Sequence, residues 1–187
     1  MEEDLMKACE ALHKGGMIVY PTDTIWGIGC DATCEEAVGR VYALKQRADH
    51  KALLVLIDNP AKLTAYVSEV PDMAWDLIEV SYKPLTIIYP NAKNLAINLL
   101  GEDGSLGIRI TNELFSNELC KLFRKPLVST SANISGFPSP ERFSGIAENV
   151  KNGVDYVVKY RQNETTRACP SSIIKLNDDG SFHIIRE

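Results

Sequence analysis

Long apolar runs, paired cysteines, clustered histidines and an excess of basic charge are all missing from this 187-residue chain. No apolar stretch approaches the roughly 18 residues of a membrane-crossing helix, so no membrane span is expected. The three histidines, His13, His50 and His183, form no H-x-x-x-H pair, and no serine sits in a G-x-S-x-G elbow. Metalloprotease and serine-hydrolase chemistry therefore lack their parts. The five cysteines, Cys9, Cys30, Cys34, Cys120 and Cys169, are odd in number and scattered, which suits reduced thiols in a cytoplasm. Cys30 and Cys34 form a C-x-x-x-C pair with no second pair to close a tetrahedral site. Neither zinc nor a redox cofactor is expected. Lys+Arg number 20 against 25 Asp+Glu, a net charge of -5. A surface that binds nucleic acid through bulk charge is basic, so that partner is disfavoured. The acidic start Met1-Glu2-Glu3-Asp4 matches neither a secretory signal nor a transit peptide, so a cytoplasmic location is expected.

What is present is an ordinary globular composition, 45% hydrophobic and 24% charged. Apolar positions at Leu5, Ala8, Cys9 and Leu12 predict a helix over Glu3–Lys14, stopped by Gly15-Gly16. Met17–Tyr20 reads as a strand ending at Pro21. Thr33-Cys34-Glu35-Glu36 matches a capping box ahead of a helix carrying Ala37, Val41 and Leu44. Leu53–Ile57 predicts a buried strand, and Asn59-Pro60 and Pro71 each predict a helix start. Further strands are expected at Leu85–Tyr89, Leu106–Ile110, Leu127-Val128, Asp155–Val158, Ser172–Leu176 and Phe182–Ile185. The last two are joined by a turn at Asn177-Asp178-Asp179-Gly180. An amphipathic helix is expected over Asn112–Phe123. Strands alternate with helices and then follow one another, which predicts an α/β fold with a mixed sheet. With no repeat, linker or low-complexity tract, residues 1–187 read as a single domain.

Four segments carry polar chemistry that a bland fold does not need. Pro21-Thr22-Asp23-Thr24-Ile25-Trp26-Gly27-Ile28-Gly29 follows a strand with two hydroxyls, a carboxylate and two glycines. Its G-x-G-x-x-A tail is poorly placed for a dinucleotide loop, and alone it reads as a turn with capping hydroxyls. Lys45-Gln46-Arg47-Ala48-Asp49-His50-Lys51 sets three cations at a helix C-terminus. They either satisfy the helix dipole or clamp phosphates. Ser129-Thr130-Ser131-Ala132-Asn133-Ile134-Ser135-Gly136, with Pro138-Ser139-Pro140 after it, begins at a strand end, where α/β sheets bind ligands. Arg109 sits between Ile108 and Ile110 and needs either a protein or a substrate carboxylate.

Together the strings GGMIVYPTDTIWGIGCDA, KQR, PLTIIYP, GIRI, STSANISG with PSP after it, and PSSIIKL resemble the YrdC family, also called TsaC, in order from Gly15 to Arg186. The family's members are threonylcarbamoyl-AMP synthases. The resemblance implies a YrdC-like twisted open mixed β-sheet with flanking helices around a concave cavity, in a single-domain form. It implies a reaction of ATP, L-threonine and bicarbonate, with Mg²⁺ accompanying ATP. The product then goes to a tRNA threonylcarbamoyl transferase complex. It further implies that Lys45, Arg47 and Lys51 face the phosphates, Lys45 and Arg47 in the catalytic role. Ser131, Asn133, Ser139 and Arg186 would hold the nucleotide. Thr24, Arg109, Ser129 and Ser171 would hold threonine. The chain departs from the family where proline often follows K-x-R (here Ala48) and in the usually glycine-rich stretch, here Asn163-Glu164-Thr165-Thr166-Arg167-Ala168-Cys169-Pro170. Two alternatives are a non-catalytic binder of double-stranded RNA or tRNA and the carbamoyl-adenylate chemistry of hydrogenase maturation factors.

Overall fold

The apolar stripe at Leu5, Ala8, Cys9 and Leu12 becomes helix α1, Glu2–His13, in a computed structural model that describes residues 1–46, 53–165, 169–177 and 180–187. Glu2, Glu3 and Asp4 in its first turn complement the helix dipole. The chain leaves through Gly15, whose φ of 73° lies in the left-handed region that glycine enters freely. There follow β1 (Ile18–Tyr20), β2 (Gly27–Gly29), α2 (Glu35–Lys45) and β3 (Leu54–Ile57). Next come α3 (Leu63–Tyr66), α4 (Asp72–Val80), β4 (Leu85–Tyr89), β5 (Leu106–Ile110), α5 (Leu114–Phe123) and β6 (Leu127–Ser131). Helix α6 (Glu148–Asn152) and strands β7 (Tyr156–Val157), β8 (Ser172–Leu176) and β9 (Phe182–Arg186) complete the order.

Three local expectations change. Gly27–Gly29 is a strand and not part of a turn, because it pairs antiparallel with both β1 and β6. A Cβ at Gly29 would lie 2.6 Å from the Tyr20 ring and 2.9 Å from Val128 O, so only glycine fits there. Thr33 does not cap α2, because the Asp31 carboxylate takes its amide at 2.8 Å and its hydroxyl at 2.6 Å. The helix expected after Asn59 is short, a 3₁₀ turn at Pro60–Lys62 running into α3. Asn59 does cap it, accepting from Ala61 N at 2.8 Å. Asp178 and Asp179 of the expected hairpin turn lie outside the described residues. The flanking strands β8 and β9 do pair antiparallel.

The strands form a mixed sheet in the order β7-β1-β2-β6-β3-β5-β4-β8-β9, with β1–β7, β3–β5 and β4–β8 parallel and the other pairs antiparallel. Side chains alternate across it. On one face Val19, Ile28, Val55, Ile57, Ile87 and Ile108 join a core with residues of α2, α3 and α4. On the other face Ile18, Tyr20, Leu56 and Leu127 pack against α1 and α5 through Leu12, Phe115, Leu119 and Phe123. Register extends this second face across the sheet. Leu56 is opposite Arg109, Arg109 is opposite Thr86, Thr86 is opposite Ile173, and Leu54 is opposite Ser129. Of these, Leu54, Thr86, Arg109, Ser129 and Ile173 line a cavity that opens beside the part that α1 and α5 cover. Among the described residues no helix is long and apolar enough to cross a membrane.

Candidate active site

Thr22, Asp23 and Thr24 lie on the connection between β1 and β2, and two bonds set their hydroxyl directions. Thr22 Oγ1 donates to Ile25 O at 2.8 Å and accepts from Thr24 N at 3.1 Å. Its only proton is thus committed, so Thr24 is the donor in the 3.0 Å contact between the two hydroxyls. Thr24 Oγ1 in turn accepts from Arg109 Nη2 at 3.2 Å. The capping reading of these threonines therefore holds for Thr22, while Thr24 is aimed at Arg109.

Arg109, at 3% exposure, has the buried partner that its apolar strand demanded: Asp23 Oδ1 lies 3.0 Å from Nη2. The match is incomplete. Among the described residues neither Arg109 Nε nor Asp23 Oδ1 has an aligned hydrogen-bond partner. Burial pushes the Asp23 carboxyl above the ordinary range, against the opposing pull of Arg109. Burial likewise lowers the Arg109 pKa, against the pull of Asp23.

Arg109 floors a cavity of about 300 Å³. Its wall brings together Thr24, Ser129, Ser131, Ser139, Ser171 and Arg186 from the sequence expectations, and adds Thr86, Thr130 and Gly107. Ser171 is held by Thr86, hydroxyl to hydroxyl at 2.8 Å, and Arg186 Nε donates to Ser171 O at 2.9 Å. Thr86 and Gly107 were missed in the sequence. The signal was the strand period, since Gly107 is two residues from Arg109 and Thr86 faces it across the β4–β5 pair. Among the described residues the ionisable side chains on this wall are Arg109 and Arg186, with no carboxylate. The cavity is thus cationic in a chain of net charge -5.

Lys45 and Asn133 do not line this cavity. The Lys45 ammonium is buried at the end of α2 and donates to Ser131 O at 2.6 Å and Asn133 O at 2.8 Å. The reason is geometric. The α2 terminus abuts the turn after β6, whose carbonyls need donors. In this arrangement the Lys45 ammonium faces backbone carbonyls. The Asn133 amide donates to Ile134 O and Phe137 O at 3.0 and 2.7 Å, so it shapes the same turn. Arg47 and Lys51, with Ala48 between them, lie outside the described residues.

A second cavity of about 520 Å³ adjoins the first at Thr24 and Pro170 and is lined by Asp23, Trp26, Lys83, Arg142, Arg161 and Glu164, among others. Arg161, which sequence reasoning did not single out, anchors this wall. It donates to Thr22 O at 3.3 Å, meets Glu113 Oε1 at 3.1 Å and reaches Glu164 Oε2 at 2.6 Å. Glu113 also caps α5 through Ser116 N. Arg161→Ala removes that anchor. The expected cost is roughly 1–3 kcal/mol, for loss of charged hydrogen bonds. A thermal melt is expected to shift down by several degrees, and an unchanged melt excludes the anchoring role.

Among the described residues no group of three or more His, Cys, Asp or Glu side chains is arranged to hold a metal. The five cysteines are unpaired, and burial pushes Cys30 and Cys120 well above the reactive range. Sheet and cavity together define an α/β protein with a small-molecule site of anion-binding character. The Sua5/YciO/YrdC family model, described as telomere recombination, matches residues 10–187, and the chain belongs to that family. It is similar to the threonylcarbamoyl-AMP synthase of Pseudoalteromonas translucida (strain TAC 125), 38% identical over 138 residues, 72% of this chain and 74% of that one. The threonylcarbamoyl-AMP synthase of Vibrio cholerae O395 is 32% identical over 188 residues, 99% of this chain and 97% of that one. Among solved structures, P. abyssi Sua5 complexed with L-threonine superposes with a TM-score of 0.84 at 25% identity, over 94% of this chain and 52% of that one. The chain thus spans about half the length of that Sua5 chain.

Proposed function

We propose that the chain is an L-threonylcarbamoyladenylate synthase, a nucleotidyltransferase that converts ATP, L-threonine and bicarbonate to threonylcarbamoyl-AMP and pyrophosphate. The observation that carries this reading is the smaller cavity, whose described residues include two arginines, seven hydroxyl-bearing residues and no carboxylate. Arginine forks suit carboxylate and phosphate oxygens, and neutral hydroxyls fix orientation without adding charge. Relatives 38% and 32% identical bear the synthase name, which supports the same reading.

In this proposal Arg109, Thr24, Ser129 and Ser171 hold threonine, with Arg109 on its carboxylate. Ser131, Ser139 and Arg186 hold the nucleotide. Arg47 and Lys51 reach the phosphates, supported by the K-x-R pattern. Lys45 and Asn133 order the turn that carries Ser131. Bicarbonate takes up a proton and loses water to give carbon dioxide, and the threonine amine adds to its carbon and releases a proton, leaving a carbamate. A carbamate oxygen then attacks the α-phosphorus, and the bond to the β-phosphate oxygen breaks with its pair leaving on pyrophosphate. No protein nucleophile is needed, so the chain contributes positioning and charge stabilisation. Mg²⁺ would accompany ATP and supply charge neutralisation at its phosphates; among the described residues the smaller cavity offers no carboxylate that would hold it. The unpaired thiols support a cytoplasmic setting. Residues 1–187 act as one domain, and the product passes to a transferase that modifies tRNA.

Incubation with ATP, threonine and bicarbonate is expected to release pyrophosphate only when threonine is present. Threonine-independent release, or none from folded protein, overturns the reading. RNA binding without turnover, falling steeply with salt, would instead favour the binding-module alternative.

A further inference from the structure

Strands β4 and β5 turn Thr86 and Arg109 toward the substrate cavity on one face of the sheet. Their alternate residues, Leu85, Ile87, Ile108 and Ile110, line a separate cavity of about 380 Å³ on the reverse face. Ile78 of α4, Pro60 and the connection 81–84 contribute to its wall. That volume is within the range of small-molecule sites, roughly 300–1,000 Å³. The gap is either an under-packed edge of the core or a place kept for a ligand. Apolar walls that face a gap forfeit contacts, so a core edge is expected to draw in the large apolar side chains nearest it. Here those side chains stand outside. Val80, at the end of α4, is 72% exposed, and Tyr82, two residues on, is 90% exposed. The fold leaves the gap open although side chains able to plug it are at hand.

Charge selects the kind of ligand. Two charged residues lie on this wall, Asp23 and Lys83. Asp23 is already ion-paired with the buried Arg109 at 3.0 Å. Lys83 makes no ion pair among the described residues, and its ammonium stands over the Tyr82 ring, 5.7 Å from the centroid. A cation entering the cavity therefore meets a carboxylate that is already neutralised, whereas an anion meets an ammonium that is not. The isoleucines of β4 and β5 suit an apolar body, and Lys83 suits a single negative charge at its end.

We propose that this cavity is a second small-molecule site, which takes an organic anion with a compact aliphatic or aromatic body. The body lies against Ile78, Ile87, Ile108 and Ile110, and the anionic group meets Lys83. The site is separate from the substrate cavity, because strand alternation puts the two on opposite faces of β4 and β5. It does not depend on the synthase reading, and its test needs no turnover.

The test uses the intact protein and two fluorescent probes, 8-anilinonaphthalene-1-sulfonate and N-phenyl-1-naphthylamine, the same molecule without its sulfonate. Fluorescence titration of the wild type is expected to show one saturable site for the sulfonate, unchanged by saturating ATP and L-threonine. Ile78→Phe puts a larger side chain into the cavity and is expected to weaken the sulfonate at least about tenfold. Lys83→Gln, at an exposed position, is expected to weaken the sulfonate about threefold and to leave the uncharged probe unchanged. Circular dichroism checks that each variant is folded. Should Ile78→Phe fail to fold, Lys83→Gln and the probe pair still decide. Displacement of the sulfonate by ATP or threonine overturns the proposal, because the probe then occupies the cationic substrate cavity. Unchanged sulfonate binding in folded Ile78→Phe overturns it too. So does a Lys83→Gln variant that treats the two probes as the wild type does.

Discussion

Arg109→Met is expected to lower threonine-dependent pyrophosphate release at least about a hundredfold, the scale seen when a preorganised charge contact is removed. Arg109→Lys is expected to recover little. An ammonium cannot reproduce the planar fork that reaches Thr24 Oγ1 and Asp23 from one nitrogen while presenting others to a ligand. The loss should fall mainly on the KM for threonine, with the KM for ATP changing less. Near-normal turnover in a folded Arg109→Met variant removes Arg109 from the site. Stability carries a second signature. Burial already raises the Asp23 carboxyl, and Arg109 is the cation that opposes the rise. Without it the folded-state pKa climbs further above the unfolded value. A carboxyl whose folded pKa is raised binds more protons folded than unfolded in that window, so stability falls as pH rises through it. The variant should therefore melt higher at mildly acidic than at neutral pH. Equal melting temperatures at the two pH values count against the buried pairing.

Lys45→Met is expected to act first on stability and only then on activity. The substitution conserves volume and removes the ammonium that bonds Ser131 O and Asn133 O. Asn133 O then loses its donor, at roughly 1–3 kcal/mol, while Ser131 O keeps the bond from Asn133 N at 2.8 Å. Relief of burying the ammonium offsets part of that. A net cost of about 1–2 kcal/mol corresponds to a fall in Tm of roughly 5 °C for a chain of this size. Activity should drop with it, because Ser131 sits on the cavity wall at the turn that Lys45 holds. A variant that melts like the wild type but loses turnover would return Lys45 to direct phosphate contact.

Local pattern made much of the fold legible. The helical stripe of α1, the five-residue apolar run Leu53–Ile57 that becomes β3, and the Asn-x-x-Gly signal between β8 and β9 each rest on interactions between near neighbours. Gly27–Gly29 escaped that reading because a strand with two glycines has no apolar alternation. Its identity comes from close approach of Tyr20 and Val128, which are distant in sequence or on another strand. The capping box failed for a similar reason. Asp31, held by Lys125 from 94 residues away, took the hydroxyl of Thr33.

The site divides along the same line. Residue types alone gave the expectation of chemistry without a thiolate, imidazole or serine triad, and the ordered strings determined its family. They also marked Thr24, Arg109, Ser129, Ser131, Ser139, Ser171 and Arg186, all of which share one cavity wall. Only the tertiary structure decided what each charge faces. It gave Lys45 to backbone carbonyls, set Asp23 against Arg109 and brought in Thr86 and Arg161 from remote segments. The physical reason is that a motif specifies which groups are available, whereas their partners depend on strand register and on which polar atoms burial leaves unsatisfied.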